Sequence, residues 1–316
     1  MTAKYLSVRN YIHDCFKNFP WASKRQFETI WQYVDHLLAG RGFGRQALLR
    51  TGLTEMTDRM IQYHLCRLAY YPQCFKQTQQ RHFTKVDRRL IHQLVFDDVG
   101  NSRAGRQVFA SSFYYNHAQS SVDWGQVLVD SAIVTKRVVD VDYHPYLPQP
   151  YLDRSQRPQT EFYTKNKIAQ ELFSIHLERL IQQGVPLSKI WASFDCWYAS
   201  EQLTTRVRQS GAKLLQGLKK NTCSNLFGHL KRLDEVFTPT DPWHYRTKRH
   251  SGKKVWFQAK ILNLNRHGRC KVFAIRRGQD PRIRYYTTTD LKCSIERLLP
   301  RLRAHWQVET MHHGRR

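Results

Sequence analysis

The sequence predicts an α/β fold: a mixed sheet with flanking helices and an inserted β subdomain, preceded by an all-α N-terminal domain. Three observations predict it. The first ~85 residues carry apolar side chains at helical spacing. From about residue 88 the texture changes to runs of strand length separated by turn-forming residues. A further strand-rich block, at about 240–290, then falls between a strand and a closing helix.

In the N-terminal part, "RQFETIWQYVDHLL" places Phe27, Ile30, Trp31, Val34, Leu37 and Leu38 on one helical face, and "GRGFG" ends that helix. The following stretch, 44–68, has the outline of a helix-turn-helix. Ala47, Leu48 and Leu49 form its short first helix, Gly52 its turn, and Thr54 caps a second helix with Met56, Met60, Ile61 and Leu65 inward. Arg59, Gln62 and Arg67 then face outward, where they are of the types that contact DNA; an ordinary helical hairpin has the same pattern.

"LIHQLVFDD" is a near-continuous apolar run ending in two acids, as a strand buried on both faces reads. "QVFASSFYYNHAQ" and "WGQVLVDSAIVTKRVVDV" continue it as an antiparallel meander. After the proline-rich "PYLPQPYLDRSQRPQ" comes an amphipathic helix with Ile168, Leu172, Ile175, Leu177 and Leu180 apolar and Gly184 at its C-terminal end. "SKIWASFD" is a strand, "SEQLTTRVRQSG" a helix and "KLLQGLK" a strand. A β-rich insert occupies about 222–290, and a helix from about Ser294 closes the chain. The order of three strands, helix, strand, helix, strand, insert and helix fits a ribonuclease H-like core over 88–316, behind a helical domain at 1–85.

Lysine plus arginine number 51 and aspartate plus glutamate 25, so the formal charge is 51 − 25 = +26, spread along the whole length. A protein this basic has a polyanion as its expected partner, and nucleic acid is the first candidate. No run approaches the roughly 18 apolar residues of a spanning helix, and no apolar signal segment follows Met1. Seven cysteines without a C-x-x-C pair argue against a zinc site or a disulfide framework and for reduced thiols in a cytosolic compartment.

Three acids stand out. Two strands end in acids, "LVFDD" and "IWASFD", and Glu309 lies on the closing helix. Strand ends hold carboxylates rigidly at one sheet edge, and a helix packed across that edge brings a third. Hard oxygen ligands of this kind suit Mg²⁺ or Mn²⁺, and two ions can activate one oxygen and stabilise another in phosphodiester chemistry. Apolar residues on both faces leave Asp97 and Asp98 undistinguished by alternation.

The stretch from Thr164 to Asn221 resembles the catalytic domain of DDE transposases of bacterial insertion sequences, in the cut-and-paste group that carries a β-strand insert between its second Asp and its Glu. The residues that carry the resemblance are Asp195 followed by Trp197-Tyr198, a helix, and a strand ending in Leu218-Lys219-Lys220-Asn221. The family frame aligns Asp98 of "FDDVG" with its first Asp, and Leu302, His305, Glu309 and Arg316 with its last motif, Y-x2-R-x3-E-x6-K. Val99, Leu302 and His305 depart from the family's residues, and the segments that usually follow Arg316 are missing, so the chain reads as truncated at its C-terminus.

The resemblance implies an enzyme of DNA transposition and recombination that binds terminal inverted repeats as double-stranded DNA, cleaves a strand and transfers it to a target. It implies Asp98, Asp195 and Glu309 as catalytic ligands of two Mg²⁺ ions, with Mn²⁺ as a substitute, and a homodimer in a synaptic complex in the bacterial cytoplasm, at the nucleoid. Lys219, Lys220, His305 and Arg316 are then expected at phosphates, together with Lys253 and Lys254 in the basic loop "RTKRHSGKK". The short C-terminus leads to an expectation of weak cleavage. The alternatives are a DNA-binding remnant without activity and a ribonuclease H-like nuclease.

Overall fold

A computed structural model of the chain describes Asn10, His13 and residues 23–38, 45–50, 57–68, 86–102, 110–116, 119–136, 138–154, 162–238, 242–247, 254–278 and 280–314. The chain divides into two compact units, Met1–Lys85 and Val86–Arg316. Among the described residues no helix is long and apolar enough to cross a membrane.

The first unit contains the helices α1 (Lys24–Leu38), α2 (Arg45–Arg50) and α3 (Asp58–Leu68). Ser23 opens α1, its hydroxyl accepting from the Gln26 amide at 3.1 Å. Ile30, Trp31, Leu48 and Ile61 are buried. The start of α3 differs from expectation. The helix begins at Asp58, and the Thr57 hydroxyl accepts from the Met60 amide, the donor a cap satisfies; Thr54 lies outside the described residues. Arg59 and Gln62 are exposed on it, as an outward face requires.

The second unit runs β1 (His92–Ser102), β2 (Ser112–Asn116), β3 (Ser121–Val134), β4 (Val138–Tyr146), α4 (Gln149–Arg154), α5 (Lys165–Gln182), β5 (Ile190–Phe194), α6 (Glu201–Gln209) and β6 (Lys213–Leu218). It continues through β7 (Cys223–Leu226), β8 (His229–Arg232), α7 (Leu233–Val236), β9 (His244–Thr247), β10 (Lys254–Leu264), β11 (Gly268–Arg277) and β12 (Arg284–Thr288) to α8 (Ile295–Gly314). Among the described residues these strands form one mixed sheet in the order β2-β3-β1-β5-β6-β12-β11-β10-β7-β8, with β4 on β3 and β9 on β10. The pairs β1–β5 and β5–β6 are parallel; β3 lies antiparallel to β1, and β12 antiparallel to β6. The expected meander of three strands is therefore four: β2 falls within the second expected strand, and the third, read as one run from Trp124, divides into β3 and β4, which pair antiparallel.

The two faces of β1 explain its apolar sequence. On one, Phe96 stacks on Phe194 with ring centroids 4.7 Å apart and packs against Phe173 and His176 of α5. On the other, Val95 packs with Ala132, Val134 and the α8 residues Ala304 and Val308. A strand sandwiched between helices has no polar face to alternate with. The Thr164 hydroxyl caps α5 by accepting from the Lys167 amide, and Gly184 follows the helix at φ 74°. The helix buries Ile168, Ala169, Leu172, Phe173, His176, Leu177 and Leu180. Ile175, expected inward, is 41% exposed because the buried arc centres on Ala169, Phe173, His176 and Leu180, one residue round the helix.

Candidate active site

The parallel register of β1 and β5 pairs Phe96 with Phe194, so the next residues, Asp97 within β1 and Asp195 just past the end of β5, stand side by side. Adjacent strands lie about 4.8 Å apart. Alternation then sorts the acids by face. Gln93, Val95 and Asp97 share the face covered by α8: the Gln93 carboxamide donates to the Arg301 carbonyl at 2.8 Å, and Val95 packs on Ala304 and Val308. On β5, the Ser193 hydroxyl lies 2.8 Å from His305 Nδ1 of α8, and Asp195, two residues on and still extended, falls on that same face. Asp130 of β3 stands directly opposite Asp97 and is buried, which adds a third carboxylate to the edge.

Backbone amides hold these side chains. Oδ1 of Asp97 accepts from the Asp98 amide at 2.8 Å, that of Asp130 from Ser131 at 2.9 Å, and that of Asp195 from Cys196 at 2.6 Å. Each carboxylate thus folds back on its own chain in the same way, and its orientation is fixed by the strand.

Asp98, the predicted first ligand, faces the other way. Its Oδ2 accepts from Lys165 Nζ of α5 at 2.6 Å, and that ammonium lies 5.6 Å from the Tyr146 ring. The pleat of β1 therefore separates the two candidates: Asp97 lies on the α8 face beside Asp195, and Asp98 is ion-paired on the α5 face. His305, expected at phosphates, is 7% exposed, and with α8 docked its ring is engaged with Ser193 beneath the helix. Glu309 follows His305 by one turn of α8; its side chain, and that of Arg67, lie outside the described residues, as do Lys253 and Arg316 altogether. Lys219 and Lys220 are exposed just past β6, with Lys219 Nζ 3.9 Å from the Trp197 ring centroid, and Lys254 is exposed at the start of β10.

Sequence reasoning noted Tyr198 only as half of an aromatic pair. Its side chain is 1% exposed and, among the described residues, its hydroxyl has no hydrogen-bond partner. Burial first, and then the negative charges of Asp98, Asp97, Asp195 and Asp130, push the phenol well above its ordinary value. One hydroxyl thus feels all four carboxylates and stays protonated, able to donate. The sequence signal was its place three residues after a strand-end acid.

An edge of carboxylates supplies hard oxygen donors, the chemistry Mg²⁺ and Mn²⁺ prefer. Among the described residues no group of three or more His, Cys, Asp or Glu side chains is arranged to hold a metal ion. No protein-family model and no curated protein matches the chain.

Proposed function

We propose that this chain is a DNA transposase: an Mg²⁺-dependent endonuclease and strand transferase that binds inverted repeats and recombines them into a target. The observation that carries the reading is the placement of Asp97 and Asp195 side by side on the face over which α8 docks. The helix advances in the same direction as the strands, since Arg301 meets Gln93, His305 meets Ser193 and Val308 packs with Val95. One more turn takes it from His305 to Glu309 while β5 advances two residues from Ser193 to Asp195, steps of about 6 Å and 6.6 Å. Asp97, Asp195 and Glu309 are then the ligands of the metal pair, with Asp97 in the place first given to Asp98. The strand order β4-β3-β1-β5-β6, with three antiparallel strands followed by two parallel ones, supports a ribonuclease H-like core carrying β7–β12 as its insert.

When bound, the two ions supply charge neutralisation and an activated oxygen for in-line displacement at phosphorus. The chain itself holds the carboxylates by backbone amides, fixes α8 through His305 and Ser193, and keeps Tyr198 protonated beside the acids. Lys219 and Lys220, at the end of the strand next to β5, contact the DNA backbone, and the exposed Arg59 and Gln62 of an all-α N-terminal domain read the repeat. Two copies pair two ends in the cytoplasm, at the nucleoid.

The test is cleavage of a duplex carrying the inverted repeat, with Mg²⁺ or Mn²⁺. Asp97→Asn, Asp195→Asn and Glu309→Gln are expected to drop cleavage and end joining to background while leaving DNA binding intact. Cleavage that survives Asp195→Asn sinks the proposal. Binding without cleavage in the parent chain makes it a DNA-binding remnant, and cleavage without joined product makes it a nuclease.

A further inference from the structure

The outermost hairpin of the sheet carries a feature the carboxylate edge does not use. β8 is the last strand of the sheet, and all four of its residues are exposed. Leu226 and His229 close the hairpin, leaving a two-residue turn of Phe227 and Gly228 with φ of 53° and 87°. Such a turn requires left-handed backbone at both positions and prefers Asn-Gly or Gly-Gly. Asn225 braces it, accepting from the Gly228 amide at 3.0 Å. Phe227 is nevertheless a bulky residue in a strained conformation, and it is 99% exposed. Leu230, across the hairpin, is 62% exposed. The first position of the turn thus departs from what the backbone prefers and from what water prefers. A residue that departs from both points to a surface with a partner.

The surroundings choose the partner. His229 and Lys231 flank the tip on exposed positions, and a recess of about 350 Å³ beside the hairpin is lined by Asn225, Leu230, Asn263 and Arg266 together with Glu201. Arg266 there is also in left-handed backbone, with φ 73°. The chain carries a net +26, so a second copy of it meets repulsion, whereas a polyanion with flat apolar faces meets both the aromatic ring and the cations. A nucleic-acid strand with unstacked bases has that chemistry.

We propose that Phe227 is a stacking platform for an unpaired base of a nucleic-acid strand, with the adjoining phosphates held by His229, Lys231 and Arg266. This needs neither the metal nor cleavage, so it stands or falls separately from the enzymatic reading. The experiment compares the full chain with Phe227→Asn and Phe227→Trp in EDTA, titrating a fluorescent oligo(dT) single strand and a duplex of equal length. Phe227→Asn is expected to weaken single-strand binding about 5- to 150-fold, the range of one lost base–aromatic stack, and to change duplex binding far less. Phe227→Trp keeps the affinity. The slope of log K against log salt stays the same, because no charge is removed. Asparagine suits the turn, so the melting temperature of Phe227→Asn equals or exceeds that of the parent, which separates lost stacking from lost folding. Equal single-strand affinities for the parent and Phe227→Asn overturn the proposal. So does sedimentation in which Phe227→Asn abolishes self-association without changing DNA affinity, since the knob is then a contact between copies.

Discussion

Asp97 and Asp98 are chemically identical neighbours that the pleat of β1 turns to opposite faces. Asn at either position keeps the shape and removes the charge, so the two substitutions report on location. Asp97→Asn is expected to weaken Mn²⁺ binding, read by calorimetry, while Asp98→Asn leaves it near the parent value. The second change instead strands Lys165 beside a neutral group and costs on the order of 1 kcal/mol, since both partners of that pair are partly exposed. Equal losses of Mn²⁺ affinity at both positions contradict the division by face. The buried histidines make a separate prediction. Burial and Arg179 hold His176 down at about 3, and burial with Arg208 and Arg266 holds His267 down at about 4. The unfolded chain takes up protons on these imidazoles below about pH 6.5 that the folded chain refuses, so stability is full above that value and falls as pH drops through it towards 4. Each contributes a slope of about 1.4 kcal/mol per pH unit. Thermal melting between pH 7.5 and 4.5 is expected to follow that slope, and His176→Asn to flatten it; an unchanged slope assigns the acid loss elsewhere. At this scale the sequence disclosed acids at the ends of two strands and withheld the direction of their side chains. An apolar strand covered on both sides carries no alternation, so the face of Asp97 emerges only once Gln93 and Val95 are seen against α8.

Elements were more legible than residues. Helix α8 starts within one residue of its expected place, with the Ser294 carbonyl accepting from the Arg297 and Leu298 amides. The insert appears as strands β7–β12 between β6 and α8, apart from the four-residue α7. The sequence left the break between β3 and β4 unread, because apolar residues stand on both sides of it, at Val134 and at Val138-Val139, and no glycine or proline marks the turn. It also left unread what fastens α8. Pro300 lacks an amide and removes one hydrogen bond from the early part of the helix. Three tertiary contacts compensate: Gln93 on the Arg301 carbonyl, Ser193 on His305, and the Arg277 guanidinium 3.5 Å from the Trp306 ring centroid. The last joins the insert to the helix that bears Glu309. Trp306→Ala removes the stacked face and part of the packing against Tyr286, and is expected to cost about 2 kcal/mol, below the range for a fully buried tryptophan because Trp306 is half-buried. Native-state hydrogen exchange locates the damage: amides of α8 exchange faster while those of α5 keep their protection. Uniform loss across both helices points to global destabilisation, and no loss in α8 means the stack does not hold it.

For the whole molecule, charge and the two-unit division bear on the proposed encounter with DNA. The +26 is spread along the chain, and under the proposed function it is the term expected to attract any duplex by releasing counterions, giving affinity without sequence. Sequence reading needs side chains that reach base edges, and in the first unit the exposed face of α3 offers Arg59 and Gln62. The two contributions separate by salt and by substrate. Binding to a random duplex is expected to fall linearly in log K against log salt, with a steep slope. An inverted-repeat duplex adds a component that salt affects less. Arg59→Ala removes one charge, which lowers the slope by about one on both substrates if the side chain only touches phosphate. If it reads a base, the inverted repeat loses a further 1–3 kcal/mol, roughly 5- to 150-fold, that the random duplex does not. Fluorescence anisotropy on the two duplexes at several salt concentrations decides between these outcomes. Equal losses on both make Arg59 a backbone contact and move recognition of the repeat off this residue.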